Sequence, residues 1–358
     1  MKITEVVAYT LREPIKHPYV WRRGLPGSGD VHESTVLVLR TDDGQEGFST
    51  IPRGAIARDL IDRRIRPELL GQDPLLKEFL WERMWELDRI EEFPLYMLGA
   101  VDIALWDLTA KVADMPLWQL IGGNSERIQA YASTVTYGSI EEYLDVADQC
   151  IDLGYRAIKL HAFGDVEQDA ALGHALRAHV GDDIELLYDG SAGFDLMDSI
   201  RLGRELEAAG FGWYEEPMRE FNIRSYRRLC EELQIPVLAA ETSDGAHYNV
   251  ADFIVQDAAD LVRVSTHYKG GVTGALRVAH LADAFGVRAE MHGSSLPNLQ
   301  VACAIPNNTY FEVLVFDNPV AFGFPVDADG YVTAPSLPGI GWSHDVDDLE
   351  SRAVAVSR

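Results

Sequence analysis

The sequence predicts an α/β fold in which a β/α barrel follows a smaller α+β domain. From about residue 129, short apolar segments alternate with amphipathic ones whose apolar residues recur at helical spacing. Gly154 and Gly210 stand where helix C-termini are expected, each just before the next apolar segment. Strands that alternate with helices form a parallel sheet, and a long series of them most simply closes into a barrel.

The first domain, residues 1–125, does not follow this alternation. The segments "ITEVVAYTL" and "STVLVLRTDDGQEGFST" alternate apolar and polar residues, and with an Asp-Gly turn they predict an antiparallel meander. Helical patterns follow in "IARDLIDRRIRPELL" and "PLYMLGAVDIALWDLTAKVA". We therefore expect an α+β domain here.

The barrel is expected to occupy residues 126–325. Its candidate strands are residues 129–134, 157–161, 185–189, 212–216, 237–241, 261–265, 288–292 and 310–314. Residues 326–358 are loop-rich, and we expect this C-terminal segment to return to the first domain.

The composition excludes several functional classes. Among 358 residues, 57 are acidic and 31 basic, so the net charge of −26 repels nucleic acid and anionic membranes. No apolar run approaches the roughly 20 residues that span a bilayer. The start lacks the apolar core of a signal peptide, and Cys150, Cys230 and Cys303 give no disulfide framework, which predicts a cytoplasmic protein. An anionic substrate would need local positive charge.

Three carboxylates follow the candidate strands at a regular interval. Asp189 and Glu215 are 26 residues apart, as are Glu215 and Glu241, so one β/α unit separates each pair. Carboxylates that converge at a barrel mouth repel one another unless a cation joins them, and Mg²⁺, or Mn²⁺ in its place, prefers oxygen ligands. Alternatively, each acid caps the next helix or pairs with an arginine.

Basic and polar residues end the other strands. Lys159 and His161 lie two apart in "AIKLH", so both side chains are expected on the same face. Ser265, His292 and Glu312 end later strands. Catalytic groups of β/α barrels come from these strand ends.

Several motifs together resemble the enolase superfamily, and in particular its mandelate racemase subgroup of acid-sugar dehydratase type. They are "YDGSAGF", "WYEEP", "AAETSD", "YKGGVTG", "EMHGSS", "LGAVDIALWDLTAKVADMPLWQLIGG" and "LPGIGW". The resemblance covers nearly the whole chain. It implies a modified TIM barrel of (β/α)7β type with an N-terminal α+β capping domain.

The resemblance also implies roles for individual residues. Asp189, Glu215 and Glu241 match the metal ligands, whereas Glu216 is expected to be structural. Lys159 and His161 occupy the Lys-x-Lys positions, where Lys159 would hold negative charge and His161 would be the base. His292 matches the histidine of the seventh strand. Glu312 matches the acid that donates a hydrogen bond to the substrate carboxylate, for which it would have to be protonated.

One residue departs from this pattern. Ser265 stands where related sequences carry an aspartate that pairs with the histidine, and a serine would orient His292 more weakly. We therefore expect His292 to be a general acid for a leaving hydroxide rather than a second base. His267 and Lys269 are either substitute partners or solvated loop residues.

Specificity in the family comes from two loops of the capping domain. Here they correspond to residues 14–31 and the region around Pro52. Tyr19 and Trp21 are expected to close the site against water, and the substrate would meet three arginines unless these are salt-bridged. The arginines are Arg22, Arg23 and Arg53.

The sequence thus favours a Mg²⁺-dependent lyase that dehydrates a sugar acid to a 2-keto-3-deoxy acid. The alternatives are a racemase, epimerase or cycloisomerase on a related carboxylate, and a non-catalytic relative that binds metal and ligand. Relatives of this shape also lead us to expect a homo-oligomer, either a dimer or an octamer.

Overall fold

The computed structural model describes residues 1–321, 323–342 and 345–358. The strands are β1 (Ile3–Pro14), β2 (Val31–Thr41), β3 (Glu46–Ile51), β4 (Arg127–Thr134), β5 (Ala157–His161), β6 (Glu185–Asp189), β7 (Tyr214–Glu215), β8 (Val237–Ala239), β9 (Leu261–Val264), β10 (Arg288–Met291), β11 (Tyr310–Val315), β12 (Tyr331–Thr333) and β13 (Ala355–Ser357). The helices are α1 (Ala55–Leu60), α2 (Arg66–Leu69), α3 (Lys77–Glu91), α4 (Leu95–Val112), α5 (Leu117–Leu120), α6 (Ile140–Asp152), α7 (Val166–Val180), α8 (Leu196–Ala208), α9 (Ile223–Glu232), α10 (Ala246–Val255), α11 (Gly271–Ala284), α12 (Leu296–Ala302) and α13 (Val346–Arg352). A π-helical turn, Ile61–Ile65, joins α1 to α2.

The N-terminal sheet is antiparallel, with strand order β13-β1-β2-β3. The Asp-Gly turn joins β2 to β3, where Gly44 adopts a φ of +84° that favours glycine. One face of this sheet packs on the helices between α1 and α4, and this packing forms an apolar core of its own. The predicted meander and the two helical stretches are confirmed.

The second sheet is a curled parallel sheet with strand order β10-β9-β8-β7-β6-β5-β4-β11, and β12 pairs antiparallel with β4. Its two ends meet through loops and side chains: Ser294 Oγ donates to the carbonyl of Glu312, and Asn308 Oδ1 accepts from the N–H of Met291. The fold class predicted from the sequence is confirmed. The described part of β7 is shorter than predicted, because Glu216 has a φ of +37° and leaves the ladder.

Helix α4 joins the two sheets through two buried aspartates. Asp102 accepts from the N–H and hydroxyl of Thr273 at the start of α11, at 2.8 and 2.7 Å. Asp107 accepts from the N–H of Phe48 in β3 and from that of Ile340 in the C-terminal segment, both at 2.8 Å. Gly99 lets the helix approach the loop after β9, since a Cβ there would lie 2.7 Å from the Thr266 carbonyl. Both domains therefore share α4.

The C-terminal segment returns to the N-terminal sheet, where β13 pairs with β1 through Tyr9 and Val356. None of the helices in the described ranges is long and apolar enough to cross a membrane.

Candidate active site

A cavity of about 890 Å³ lies between the C-terminal ends of the barrel strands and the N-terminal domain. The loop between β1 and β2 contributes Tyr19 and Trp21, and Pro52 follows β3. The barrel contributes several of the residues predicted from the sequence, namely His161, Asp189, Glu241, Ser265, His292 and Glu312. The cavity is thus built at the interface of the two sheets.

Three carboxylates converge on the barrel side of this cavity. Asp189 and Glu215 are direct neighbours in the β6–β7 register, and Glu241 follows β8. One oxygen from each of the three lies within 4.8 Å of the other two. Magnesium ligands stand about 2.1 Å from the ion, so opposite ligands are about 4.2 Å apart. The spacing of these oxygens therefore suits a small divalent cation.

Lys159 lies buried beneath the carboxylates rather than on the cavity wall. Its Nζ is 2.9 Å from Glu215 Oε2, 2.9 Å from Glu312 Oε1 and 3.3 Å from Asp189 Oδ2. Burial alone would lower the pKa of Lys159, but Glu215 and Glu312 outweigh it and raise the pKa well above its ordinary value. Lys159 is therefore a permanent buried cation.

The expectation that Glu312 is protonated is wrong. Burial favours its neutral form, but Lys159, His292 and Arg263 outweigh burial and hold the pKa of Glu312 well below its ordinary value. Its Oε2 also accepts from the N–H of Gly293 at 2.6 Å. Glu312 is consequently an ionised acceptor, and it cannot donate to a substrate carboxylate in this state.

Arg263 completes the charge network and was not singled out in the sequence. It is fully buried in β9, and its guanidinium makes a two-pronged ion pair with Glu215. It also donates to the carbonyl of Met291 at 2.9 Å and to the Tyr131 hydroxyl at 2.8 Å. An arginine in the middle of the apolar run "LVRVS" was the available signal, since a buried charge requires a buried partner.

The buried charges leave room for one divalent cation. If all four carboxylates of Asp189, Glu215, Glu241 and Glu312 are ionised, they carry −4, and Lys159 and Arg263 carry +2, which leaves −2. Burial, followed by the charges of Glu215 and Asp189, raises the pKa of Glu241 well above its ordinary value. A divalent cation at the three carboxylates would balance this charge, and the donor set is all oxygen, which suits Mg²⁺.

His161 is held in one orientation by the end of the neighbouring strand. Its Nδ1 lies 2.6 Å from the carbonyl oxygen of Thr134, which can only accept, so Nδ1 carries the proton. Its Nε2 lies 3.1 Å from Asp189 Oδ2 and faces the cavity side. In the neutral ring Nε2 is therefore the basic nitrogen, and it stands directly beside a predicted metal ligand.

His292 lies on the far side of the carboxylate cluster. Its Nε2 is 3.2 Å from Glu241 Oε1 and 3.9 Å from Glu312 Oε2. Burial lowers the pKa of His292 to about 4, although Glu312 opposes the shift. Within the described residues, Nδ1 has no hydrogen-bond partner. The carboxylates near His292 therefore face Nε2, and none pairs with Nδ1 in the described structure.

Ser265 does not take the place of that carboxylate. Its Oγ accepts from the backbone N–H groups of His267 and Tyr268, at 3.0 and 3.3 Å, and so fixes the turn after β9. This turn places the ring of Tyr268 against that of His292, with centroids 5.4 Å apart. Ser265 therefore acts on His292 through Tyr268.

Neither of the two substitute partners suggested for His292 makes a hydrogen bond to its ring in the described structure. His267 lines the cavity but stacks on Tyr96 of α4, and burial lowers its pKa to about 4. Lys269 is fully buried, and its Nζ donates to the carbonyl of Ser243 at 2.8 Å. Both are built into the structure rather than being solvated loop residues.

An aromatic wall covers His161. The ring centroid of Trp21 lies 4.6 Å from that of His161, and Tyr19 lies 4.6 Å from Phe316 and 5.1 Å from Trp21. Tyr19, Trp21 and Phe316 all line the cavity. Tyr19 and Trp21 thus lie on the cavity side of His161, and their role in closing the site against water stays a prediction.

The three arginines expected at the substrate are not among the residues that line the cavity. Arg22 donates to the carbonyls of Ser191 and Ala192, and so ties the β1–β2 loop to the loop after β6. Arg23 lies over the ring of Phe163 and donates to Gln168, whereas Arg53 donates to the Pro52 carbonyl. None of the three is ion-paired in the described ranges, because backbone carbonyls and rings engage them instead.

Comparisons with known proteins agree with this architecture. Residues 142–349 match the family described as enolase C-terminal domain-like, and residues 12–122 match the mandelate racemase / muconate lactonizing enzyme N-terminal domain. The crystal structure of a D-glucarate dehydratase from Agrobacterium tumefaciens, complexed with magnesium, superposes with a TM-score of 0.90 at 32% identity. It covers 99% of this chain and 100% of that one.

Two curated relatives are similar over most of their length. An arabinonate dehydratase of Saccharolobus solfataricus is 26% identical over 87% of this chain and 88% of its own. A 3,6-anhydro-alpha-L-galactonate cycloisomerase of Streptomyces coelicolor is 29% identical over 90% of this chain and 92% of its own.

The fold and the strand-end carboxylates define a capped β/α-barrel protein. The chain belongs to the mandelate racemase / muconate lactonizing enzyme family of the enolase superfamily.

Proposed function

We propose that the protein is a Mg²⁺-dependent hydro-lyase that removes water from a sugar acid. The observation that carries the proposal is the position of His161, whose basic Nε2 lies 3.1 Å from Asp189 in the three-carboxylate cluster. A base there would stand beside the α-carbon of a carboxylate substrate held at the cluster. Asp189, Glu215 and Glu241 would hold the cation. When bound, it would supply positive charge to the substrate carboxylate as the α-proton leaves.

The protein's own residues would carry the proton transfers. His161 Nε2 takes the α-proton, and the electron pair of the broken C–H bond passes to the substrate carboxylate, which gives an enolate. The enolate then forms a C=C bond between the α- and β-carbons as the β C–O bond breaks. His292, which must be protonated for this step, delivers a proton to the departing hydroxide, so that water leaves. The enol becomes a 2-keto-3-deoxy acid as its β-carbon gains a proton and its O–H proton is lost. Lys159 and Arg263 hold the ionised carboxylates in place, and Trp21 excludes water from His161.

The partners of His292 favour elimination over two-base racemisation. A second base of the expected kind would have a partner at Nδ1 that raises the basicity of Nε2, but Nδ1 of His292 has none among the described residues, and Ser265 bonds to backbone. The nearby carboxylates of Glu241 and Glu312 instead face Nε2, the nitrogen that would have to take the proton. The relatives named as dehydratases support the same choice. The cycloisomerase relative makes isomerisation the second candidate.

A screen of sugar acids with Mg²⁺, read out by semicarbazone formation from 2-keto acids, tests the proposal. We expect at least one acid to give a 2-keto product, and His161→Asn to abolish it. His174→Asn, an exposed histidine on α7, is the matched control and should keep the activity. Product formation that survives His161→Asn would contradict the proposed base.

The alternatives give different results in the same screen. A racemase, epimerase or cycloisomerase would form no ketone but would exchange the α-proton with solvent deuterium, which NMR detects. A non-catalytic relative would bind metal and exchange no proton with any acid.

We also propose that Mn²⁺ can replace Mg²⁺, because the donor set is all oxygen. Cys150, Cys230 and Cys303 are free, which supports a cytoplasmic location.

Exposed apolar side chains on the N-terminal domain, including Phe79 and Ile90, support a homo-oligomer. Light scattering of the purified protein tests the last point, since a monomer would contradict it.

A further inference from the structure

A single arginine faces the cavity from the loop after β7. Among the described residues that line the cavity, Arg219 is the only lysine or arginine. The two other cations of the site, Lys159 and Arg263, are fully buried and engaged with carboxylates. Arg219 is solvent-exposed, so its guanidinium is available to a molecule that enters the cavity.

The backbone on both sides of Arg219 is held in place. The Ala192 N–H donates to the Glu216 carbonyl at 2.7 Å, and the Tyr226 hydroxyl donates to the Met218 carbonyl at 2.5 Å. On the other side, Glu220 accepts from the Thr242 hydroxyl at 3.1 Å. Hydrogen bonds on both sides of Arg219 therefore hold the backbone of this loop in place.

The guanidinium itself has no partner in the described structure. It makes neither an ion pair nor a hydrogen bond there, although the chain carries 57 acidic residues. Arg22 lies near enough for the charge of Arg219 to add to burial in lowering the pKa of Arg22. Neither Arg22 nor Arg219 pairs with a carboxylate among the described residues, and the two lie close enough for the charge of one to act on the other. They provide the local positive charge that an anion would need in a protein of net charge −26.

We propose that Arg219 binds a second carboxylate, at the end of the substrate remote from the reacting α-carbon. The substrate would then be a dicarboxylic sugar acid rather than a monocarboxylic one, an inference that rests on the proposed function. An arginine can bind a carboxylate through two parallel hydrogen bonds, whereas the hydroxymethyl end of a monoacid offers no charge. Leu25, Phe316 and Phe324 also line the cavity and carry no charge.

The test compares two six-carbon sugar acids of the same configuration that differ only at C6, one ending in a hydroxymethyl group and the other in a carboxylate. We expect the wild-type protein with Mg²⁺ to prefer the diacid in kcat/KM. We expect Arg219→Gln to raise KM for the diacid by about 10- to 100-fold, the range for losing a hydrogen bond to a charged group, and to leave the monoacid nearly unchanged. Arg224→Gln is the matched control, because Arg224 is exposed on α9 and lies outside the cavity.

Three results would overturn the inference. The wild-type protein could prefer the monoacid, or Arg219→Gln could raise KM for both acids by the same factor, which would indicate general attraction of anions. Arg224→Gln could also act as strongly as Arg219→Gln. If neither acid is dehydrated, calorimetry of acid binding separates the two proposals. Weaker binding of the diacid by Arg219→Gln, but not by Arg224→Gln, would support the second carboxylate and count against dehydration. Equal binding of the diacid by the wild-type protein and Arg219→Gln would overturn both proposals.

Discussion

The ring of Tyr268 lies against the ring of His292, with 5.4 Å between the centroids and 33° between the planes. Tyr268 owes this position to the Ser265 hydroxyl, which accepts from its backbone N–H. His292 is thus oriented by ring packing, in a chain where the expected aspartate is a serine. His292 therefore lines the cavity in a chain whose Ser265 contacts the turn of Tyr268 and makes no hydrogen bond to the histidine ring in the described structure.

The Tyr268–His292 contact predicts a selective defect. Tyr268→Leu should slow keto-acid formation by about 10-fold or more, because a misplaced catalytic group costs this much in rate. Exchange of the α-proton, which depends on His161, should change little. Tyr268→Phe keeps the ring and should resemble the wild-type protein in both assays. A parallel fall of both rates in Tyr268→Leu would show that Tyr268 has only a structural role.

The excess of buried negative charge predicts opposite effects of Glu241→Gln with and without metal. In EDTA the variant should melt at a higher temperature than the wild-type protein, because a neutral amide relieves the repulsion from Glu215 and Asp189. In saturating Mg²⁺ the order should reverse, since a ligand at 100 times its Kd stabilises by about 2.7 kcal/mol. Thermal unfolding measures both, with exposed Glu205→Gln as control. An unchanged order would argue against a metal at Glu241.

The two-pronged pair of Arg263 and Glu215 predicts a large loss of stability on substitution. Arg263→Met leaves Glu215 buried and lacking its arginine, a change that typically costs about 3–5 kcal/mol. Arg263→Lys should lose less, because it keeps the charge but not the fork geometry. Urea denaturation measures the loss, and Arg201→Met, which breaks an exposed pair with Glu167, serves as control. Equal losses in Arg263→Met and Arg201→Met would contradict the buried network.

The buried carboxyl group of Asp102 should make the stability of the folded protein depend on pH. Burial raises its pKa from the ordinary 3.8 to about 7. Between about pH 4 and 7 the unfolded chain releases this proton while the folded chain keeps it, so the contribution of Asp102 to stability falls as the pH rises through this range.

The variant Asp102→Asn has no such proton to release. The unfolding free energy of the variant minus that of the wild-type protein should therefore rise by on the order of 2–4 kcal/mol from pH 4 to pH 7. Above pH 7 this difference should stay constant. Thermal or urea unfolding at a series of pH values measures the difference between the two proteins. A constant difference across this range would show that Asp102 is ionised in the folded state.

The sequence predicted a residue's position best where the spacing of strands and helices along the chain determines that position. Strand spacing placed Asp189, Glu215 and Glu241 at neighbouring strand ends, and the structure brings their oxygens within 4.8 Å. The parallel sheet was predictable for the same reason, since apolar strands alternated with helical segments. The domain limits near residues 125 and 325 stay a prediction.

The errors arose where partners come from distant segments. The protonation of Glu312 depends on Lys159 of β5, Arg263 of β9 and His292 just after β10, so no local pattern reveals it. Arg22 was expected at the substrate, but it reaches carbonyls 169 and 170 residues further along the chain. The orientation of His161 likewise depends on a backbone carbonyl, which every residue carries and which therefore leaves no mark in the sequence.

Helix α4 has a bearing on protein engineering. Its Asp102 faces the barrel and its Asp107 faces β3 and the C-terminal segment, so one rigid element sets the distance between the aromatic cover and the histidine beneath it. A chimera that takes its cap from a relative must therefore inherit compatible contacts at both ends of this helix. Without them, the donor loop and the host barrel would each fold correctly and still meet out of alignment.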